Sequence, residues 1–330
     1  MSETLSVIVP TLARPDSLAR CLRALAAQER PPEEVLVVTR ADDEPSRAAA
    51  RAVPLPATTR LVLPEVSAPG VIVAMQAGLD AATGSIIALT DDDAEPAPEW
   101  ARRLLAHFAA DAAQDARVGG VGGLDRQPHE RGSAAIVGRV QWFGRVIGRH
   151  HLGTGEARPV DLLKGVNCAF RASLLRAIGF DARLRGQGAQ QHWELGVCLP
   201  MRRAGWTLIY DPLVHVLHHV EPRQGADQFH RGRFDADSLT HAVHNETLLI
   251  LEHLPPLRRA AFRLWAMLAG TVDAPGLLNA VRLRAQGHPW AWDAWRAARR
   301  GRAFARASFA ESRRTGRGSR DQVPQAGRSS

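Results

Sequence analysis

The stretch Gly84-Ser-Ile-Ile-Ala-Leu-Thr-Asp-Asp-Asp93 decides the fold, because it joins a short apolar run to three consecutive carboxylates. Residues 85–89 have the length and apolar character of a buried strand in a parallel sheet. Open α/β sheets bind ligands at the carboxyl ends of their strands, which is where Asp91, Asp92 and Asp93 would lie. A bound Mg²⁺ or Mn²⁺ ion would relieve the repulsion among these carboxylates and could hold a diphosphate. The alternative is a solvated acidic turn that caps the next helix.

Strand and helix patterns alternate on both sides of this stretch. Leu18, Cys21, Leu22 and Leu25 recur at i, i+3, i+4 and i+7, which predicts a helix over residues 16–28 that packs on the sheet. The alternation is typical of βαβ units and predicts an α/β protein. The other predicted strands are 5–9, 34–38, 60–63, 118–123, 136–143, 207–210 and 214–217, and the other predicted helices are 71–82, 99–108, 173–177, 193–204, 238–252, 257–271 and 291–308.

Composition narrows the class of protein. The chain has 330 residues, 45% of them apolar, which is enough for a large buried core. Its three cysteines, Cys21, Cys168 and Cys198, are too few and too scattered for a disulfide framework or a zinc knuckle, so a reducing compartment is expected. The start of the sequence lacks the features of a signal peptide, and the apolar stretch 264–272 is far shorter than the ~20 residues that span a bilayer. We therefore expect a cytoplasmic protein without a transmembrane helix.

The formal net charge of +8 is unevenly distributed. Residues 281–330 contain twelve arginines and three acidic residues, whereas residues 1–280 contain 30 basic and 31 acidic groups. A nucleic-acid-binding body would need basic and aromatic residues interleaved on its surface, so we expect no nucleic-acid partner. A protein that binds RNA or acts as a scaffold through its basic tail is the non-enzymatic alternative.

Two side chains of the second half could complete an active site. Glu194 begins a predicted helix between Trp193 and Leu195, whose apolar groups would desolvate the carboxylate and favour its use as a general base. A first-turn glutamate stabilised by the helix dipole is the alternative. His218 follows the last predicted strand, and its imidazole could complete a metal site that the aspartates open.

Ordered motifs along the chain resemble those of a known family. Val7-Ile-Val-Pro-Thr11 and Gly84–Pro96 are followed by Leu163-Lys-Gly-x-Asn167 and by Arg203-Ala-Gly-Trp-x-x-x-Tyr-Asp-Pro212. In this order, residues 5–223 resemble a family 2 glycosyltransferase with the GT-A fold, a Rossmann-like mixed sheet flanked by helices.

The resemblance implies a metal-dependent, inverting transfer from a nucleoside-diphosphate sugar to the hydroxyl of a glycan or lipid-linked acceptor. It implies that Glu194 is the catalytic base and that Asp91, Asp93 and His218 bind Mg²⁺ or Mn²⁺. The donor-binding residues that it implies are Pro10, Thr11, Arg14, Asp43, Gln76, Asp91 and Asp92. Asp42 is the alternative to Asp43. A sugar-nucleotide pyrophosphorylase is the alternative enzyme, although its glycine-rich phosphate loop is missing after the first strand.

Four regions are expected along the chain. Residues 1–125 form a nucleotide-sugar-binding half, residues 126–225 an acceptor-binding and catalytic half, residues 226–312 a C-terminal helical extension, and residues 313–330 a disordered basic tail. The extension combines tryptophans with arginines, which suits either docking at an anionic membrane surface or a helical cap on the catalytic domain; the two are compatible. Docking would place the enzyme peripherally on the inner face of the cell membrane, in the synthesis of cell-surface glycans or glycolipids.

Overall fold

The computed structural model describes residues 3–114, 117–186, 188–220, 234–315 and 323–325. Within them, ten strands form one sheet and two form a short hairpin. The strands are β1 (Leu5–Pro10), β2 (Glu34–Arg40), β3 (Arg60–Val62), β4 (Glu65–Val66), β5 (Ile86–Thr90), β6 (Ala94–Pro96), β7 (Val118–Arg126), β8 (Arg139–Val140), β9 (Val146–Ile147), β10 (Arg158–Val160), β11 (Asn167–Arg171) and β12 (Thr207–His218). The helices are α1 (Pro15–Ala26), α2 (Glu44–Ala52), α3 (Val71–Ala81), α4 (Trp100–Gln114), α5 (Ala172–Ile178), α6 (Trp193–Arg203), α7 (Ala236–His253), α8 (Pro256–Leu268), α9 (Leu277–Ala285) and α10 (Ala291–Thr315).

The sheet is mixed, as predicted. Its strand order is β10-β12-β7-β11-β5-β1-β2-β3, with β4 beside β2 and β6 beside β12. β1 runs parallel to β2 and β5, whereas β11 runs antiparallel to β5 and β7. The two expected halves therefore share one sheet, because β7, which lies almost entirely in the first half, pairs with β11 and β12 of the second.

The core lies on both faces of this sheet, because alternate side chains of a strand point to opposite faces. On β1, Val7 and Val9 pack with the buried face of α1, while Ile8 packs with α3 on the other side. The four apolar residues that predicted α1 are fully buried, which confirms the helix and its orientation.

Two predicted strand regions differ from the structure. Within residues 136–143, which alternation predicted to be a strand, only Arg139–Val140 pair, with Val146–Ile147. The predicted strands 207–210 and 214–217 are one strand, β12, with a register shift between Asp211 and His215. Such an irregularity accommodates Pro212, which cannot donate a hydrogen bond to a neighbouring strand.

Two helices, α2 and α9, were not predicted. The inner face of α2 consists mostly of small residues such as Ala50, so the apolar periodicity is weak. Its start is nevertheless clear, because Asp43 accepts a hydrogen bond from Ser46 N and Pro45 follows at the first turn. At the other end of the chain, α9 buries Ala280 and Leu283 in only nine residues.

The C-terminal helices pack on one another and on the sheet domain. α10 passes close to α7 at Gly301, where an added Cβ would lie 2.5 Å from Thr240 O. Arg183 joins the two regions, since its guanidinium donates to Asp181, to Glu252 of α7 at 2.6 Å and to Ser312 Oγ at 2.6 Å. These contacts hold the extension against the sheet domain.

The tail differs in part from the expected disorder. α10 continues to Thr315, and Trp206 Nε1 donates to Pro324 O at 2.8 Å beside the buried Val323. The remainder of the expected tail, 316–322 and 326–330, lies outside the described residues, as does the expected boundary at 225/226. Among the described helices, none is both long enough and apolar enough to cross a membrane.

Candidate active site

Three strand ends meet at one edge of the sheet. Asp91, Asp92 and Asp93 connect β5 to β6, and β6 pairs antiparallel with the end of β12 so that Ala94 stands opposite His218. This pairing places the His218 imidazole beside the Asp93 carboxylate, with Nε2 and Oδ1 3.3 Å apart. The strand order therefore explains why residues far apart in the sequence form one cluster.

Asp91, Asp93 and His218 form a cluster that could hold one metal ion. Each offers one ligand atom, and these atoms all lie within 4.8 Å of one another. His218 Nε2 is buried and makes no well-aligned hydrogen bond in the described structure, so it fits a ligand position. The donor set of two carboxylates and one imidazole is typical of sites for divalent cations.

Asp125, on β7, orients the imidazole. His218 Nδ1 donates to Asp125 Oδ1 at 2.8 Å, and the carboxylate is fully buried. Burial alone would lower the pKa of His218, but the hydrogen bond to Asp125 and the close contact with the Asp93 carboxylate outweigh it and raise the pKa to about 10. In turn, burial would raise the pKa of Asp125, yet the hydrogen bond from His218 lowers it. A carboxylate behind a ligating histidine fixes the ring so that the other nitrogen faces the metal.

Asp92 points away from this cluster and binds the loop that follows β1. Its Oδ2 accepts from Thr11 Oγ1 at 2.7 Å and its Oδ1 from Arg14 Nη1 at 2.9 Å, while Arg14 also donates to Asp93 Oδ2 at 3.2 Å. Burial raises the pKa of Asp92 to about 6, although Arg14 and Thr11 oppose the shift. Of the predicted donor residues, Thr11, Arg14 and Asp92 thus form one network.

An open cleft of about 640 Å³ runs along this edge and is large enough for a nucleotide sugar. Pro10, Thr11, Arg14 and Asp91 line its first end. Glu194 lines it farther along, among residues of α6 and α7. The cleft therefore brings together most of the residues that the sequence analysis singled out.

Two predicted donor residues are not among those that line the cleft. Asp43 uses both carboxylate oxygens within the protein: Oδ1 caps α2, and Oδ2 accepts from Ala13 N at 2.6 Å. Gln76 lies on α3, where its Oε1 accepts from Phe180 N at 3.1 Å and its amide donates to Asp80. Both side chains therefore have structural partners, and their contact with the donor stays a prediction. Thr39 and Arg40 line the cleft instead.

Glu194 lies where a short loop approaches the start of α6. Its Oε1 accepts from Gly165 N at 3.1 Å. A Cβ on Gly165 would lie 2.6 Å from the Trp193 ring and 3.2 Å from Glu194 Oε1, so only glycine permits this contact. The hydrogen bond orients the Glu194 carboxylate at the wall of the cleft.

His192 and Glu246 form a titratable pair in the cleft that was not predicted from the sequence. His192 precedes α6 in the left-handed conformation, with φ of 69°, and its Nε2 lies 3.8 Å from Glu246 Oε2 of α7. Burial raises the pKa of Glu246 to about 7; Arg302 opposes this shift and Asp273 adds to it. The available signal was a polar run, His244-Asn245-Glu246, just before the apolar run 248–251 of the same helix. Asn245 fastens α7 to the loop before α6 by donating to Gln191 O at 3.0 Å.

Comparison with known proteins identifies the family. The model of glycosyl transferase family 2 matches residues 6–178, more than half of the chain. The chain therefore belongs to glycosyl transferase family 2 and is a glycosyltransferase. This membership replaces the alternatives of a pyrophosphorylase and of a non-enzymatic scaffold. A comparison with curated proteins gave no significant match.

Solved structures support the same fold. The structure of S. aureus TarS 1–349 in complex with UDP-GlcNAc is 15% identical, with a TM-score of 0.54 over 95% of this chain and 92% of that chain. The complex of TarS 1–349 with UDP is 16% identical at the same TM-score and coverage. At these identities the likeness concerns the fold alone, and it confirms the predicted GT-A fold with C-terminal helices.

Proposed function

We propose that this glycosyltransferase moves a sugar, with inversion, from a nucleoside-diphosphate sugar to an acceptor hydroxyl, using Mg²⁺ or Mn²⁺ held by Asp91, Asp93 and His218. One observation carries the proposal: Asp91, Asp93 and His218 form one cluster, and two of its members, Asp91 and His218, line the same cleft as Glu194. A one-step displacement needs a base near the acceptor and a cation near the leaving diphosphate. The cleft offers residues for both.

The metal ligands are supported by the chemistry of the donor set. Carboxylates suit Mg²⁺ and Mn²⁺, and the hydrogen bond to Asp125 turns His218 Nε2 toward the two aspartates. A divalent cation bound there would stabilise the negative charge that develops on the departing diphosphate.

The loop after β1 forms the wall of the cleft beside the proposed donor site. Thr11 and Arg14 fasten this loop to Asp92, and Arg14 also holds one oxygen of Asp93 while the other faces His218. We propose that Pro10, Thr11 and Arg14 position the nucleoside diphosphate along this wall. Thr39 and Arg40, which line the same end of the cleft, take the place that the sequence analysis gave to Asp43.

Glu194 is the proposed base. Its carboxylate takes the proton of the acceptor hydroxyl as that oxygen bonds to the anomeric carbon from the face opposite the diphosphate. The bond from the anomeric carbon to the diphosphate oxygen breaks at the same time, and the nucleoside diphosphate leaves with the electron pair. The hydrogen bond from Gly165 N holds Oε1, so that Oε2 can accept the proton.

We further propose that the acceptor is a glycan or a lipid-linked sugar on the inner face of the cell membrane, in cell-surface glycan or glycolipid synthesis. Beyond Glu194 the cleft continues along α7 past Leu239, Val243 and Glu246, which leaves room for an acceptor of more than one ring. The three cysteines are free and buried, in keeping with a reducing compartment.

The test measures release of nucleoside diphosphate from UDP-, GDP- and dTDP-sugars with Mg²⁺ or Mn²⁺. We expect one donor class to be turned over, and we expect Asp93→Ala and Glu194→Gln each to lower the rate at least about 10³-fold. Asp80→Asn changes an exposed carboxylate outside the cleft lining and serves as the matched control.

The two variants separate the parts of the proposal. Glu194→Gln should still bind the donor in the presence of metal, whereas Asp93→Ala should lose the metal dependence of binding. If wild-type protein bound no sugar nucleotide with either metal, the proposed donor class would be wrong. If Glu194→Gln transferred at the wild-type rate, the base would be misassigned.

A further inference from the structure

The largest group of exposed apolar side chains lies on α8, on α9 and in the turn between them. Seven of them keep between 41% and 63% of their surface exposed, and together they are called the α8–α9 apolar face. Its members are Leu264, Met267, Leu268, Val272, Leu277, Leu278 and Val281. A contiguous apolar surface of this kind on a folded protein marks a site of interaction.

The two helices present this face as a firm unit. Their other sides are buried, through Phe262 and Ala266 on α8 and through Ala280 and Leu283 on α9. The turn between them is closed by backbone hydrogen bonds from Gly276 N to Ala269 O at 2.8 Å and from Thr271 N to Ala274 O at 3.1 Å. Because these buried residues fix the orientation of both helices, the side chains of the α8–α9 apolar face remain exposed.

The charged residues around the α8–α9 apolar face indicate which kind of surface it contacts. Neither α8 nor α9 contains an acidic residue, while Arg263, Arg282 and Arg284 are exposed on them. Trp142, 59% exposed, adjoins the start of α8, where Arg258 Nε donates to Trp142 O at 2.7 Å. Apolar residues flanked by arginines and a tryptophan are typical of helices that lie in the interface of an anionic bilayer.

The same turn also forms part of the cleft. Thr271, Asp273 and Ala274 line the cleft, and the exposed Val272 stands between them. A surface that covers the α8–α9 apolar face would therefore meet the part of the cleft rim that lies beside Glu246.

We infer that the α8–α9 apolar face docks on an anionic lipid bilayer and thereby presents the cleft to a lipid-linked acceptor. This inference rests on the proposed function for the acceptor and deepens it, because it names the surface and selects the lipid-linked acceptor class. On α10, Phe304 lies under Arg185 at 4.4 Å and Phe309 under Arg259 at 5.1 Å, so each of these two rings contacts an arginine of the protein itself.

The experiment measures sedimentation of the full chain with vesicles of phosphatidylcholine alone or of equal parts phosphatidylcholine and phosphatidylglycerol. We expect binding to the anionic vesicles only. The triple variant Leu264→Asn, Leu278→Asn, Val281→Asn should lower the partition coefficient at least about tenfold, because it removes three apolar groups from the bilayer interface. Changing Arg263, Arg282 and Arg284 to Gln should lower it about a hundredfold, since each basic residue near the surface contributes several-fold.

Matched controls use exposed apolar residues elsewhere on the chain. Ile136→Asn and Leu213→Asn, at 54% and 56% exposure, should leave vesicle binding unchanged. Circular dichroism and donor binding should be unchanged in the apolar triple variant, which shows that any loss concerns the membrane and not the fold.

Three results would overturn the inference: no binding of wild-type protein to anionic vesicles, equal binding of the apolar triple variant, or a wild-type dimer that the triple variant converts to a monomer without any vesicle binding. The last result would assign the face to a second copy of the chain. Vesicle binding does not require turnover of a sugar nucleotide. A failure of the proposed donor chemistry would therefore leave this measurement intact, and the two failures are distinguishable.

Discussion

The carboxylates at the two ends of the cleft differ in how closely they are paired with other groups. At the donor end, Asp92 and Asp93 are buried and held by Arg14, Thr11 and His218 at hydrogen-bond or ion-pair distance. At the proposed acceptor end, Glu246 is partly buried and its Oε2 lies 3.8 Å from His192 Nε2. A fixed, paired set of charges is preorganised for one anionic group, whereas a loosely paired carboxylate near neutrality can change protonation when it meets a substrate.

At the proposed donor end, the loss of Arg14 should lower the stability of the protein more than any other change considered. Arg14→Met leaves two adjacent buried carboxylates without their cation, so we expect it to lower the free energy of unfolding by about 3–5 kcal/mol at neutral pH. The loss should shrink at low pH, where the carboxylates are protonated. Urea denaturation in the presence of a chelator measures it.

Arg20→Met is the control for this prediction. Arg20 lies 3.9 Å from Glu95 and is about one-third exposed, so its loss should cost less than about 1 kcal/mol. Equal losses for the two variants would show that the donor end does not depend on the pairing of buried charge.

Asp125→Asn should weaken metal binding at the same end of the cleft, because Asp125 orients the His218 imidazole. The asparagine can still accept a hydrogen bond from His218 but no longer carries the charge that favours this orientation. We expect about a 10- to 100-fold higher metal concentration for half-maximal turnover, with a smaller effect at saturating metal. Titration of activity with Mn²⁺ measures this shift.

A second carboxylate–histidine pair provides the matched control. Asp211 lies on β12, as His218 does, and its Oδ2 contacts His107 Nε2 at 2.8 Å outside the cleft lining. Asp211→Asn should leave the metal dependence unchanged. An equal shift in both variants would mean that Asp125 acts through stability and not through His218.

How much of the fold the sequence predicts depends on whether a feature is determined by neighbours in the sequence or by contacts between distant residues. The buried stripe of α1 and the strand before Asp91 depend on neighbours in the sequence; periodicity predicted the helix, and a short apolar run predicted the strand. The alternation in residues 136–143 predicted a strand that the structure largely lacks, because pairing requires a neighbouring strand that periodicity does not show.

The site residues show the same limit. Asp43 and the aspartates of the proposed metal site are all carboxylates that follow a strand, and only the structure shows that Asp43 caps a helix. Glu246 could not be placed from the sequence, because only the packing of α7 against α6 brings it to His192. A polar residue in an apolar helix indicates a buried partner but not which one.

The acceptor end can be tested through the pKa of Glu246, which burial raises to about 7 from an ordinary 4.5. Between these two values the folded chain holds a proton that the unfolded chain has lost, so this group makes wild-type stability fall as the pH rises across that window. Glu246→Gln removes the titration. The stability of the variant relative to wild type should therefore increase between pH 4.5 and 7 and level off above, by about 1–2 kcal/mol because the side chain keeps some solvent contact.

Urea denaturation at a series of pH values measures this difference, and Glu311→Gln, an exposed change on α10, should show no such trend. If Glu246→Gln instead ran parallel to wild type at every pH, Glu246 would be ionised throughout and paired as firmly as the donor carboxylates. The two ends of the cleft would then not differ in how firmly their carboxylates are paired. Glu246 would also be unable to exchange a proton with a bound acceptor.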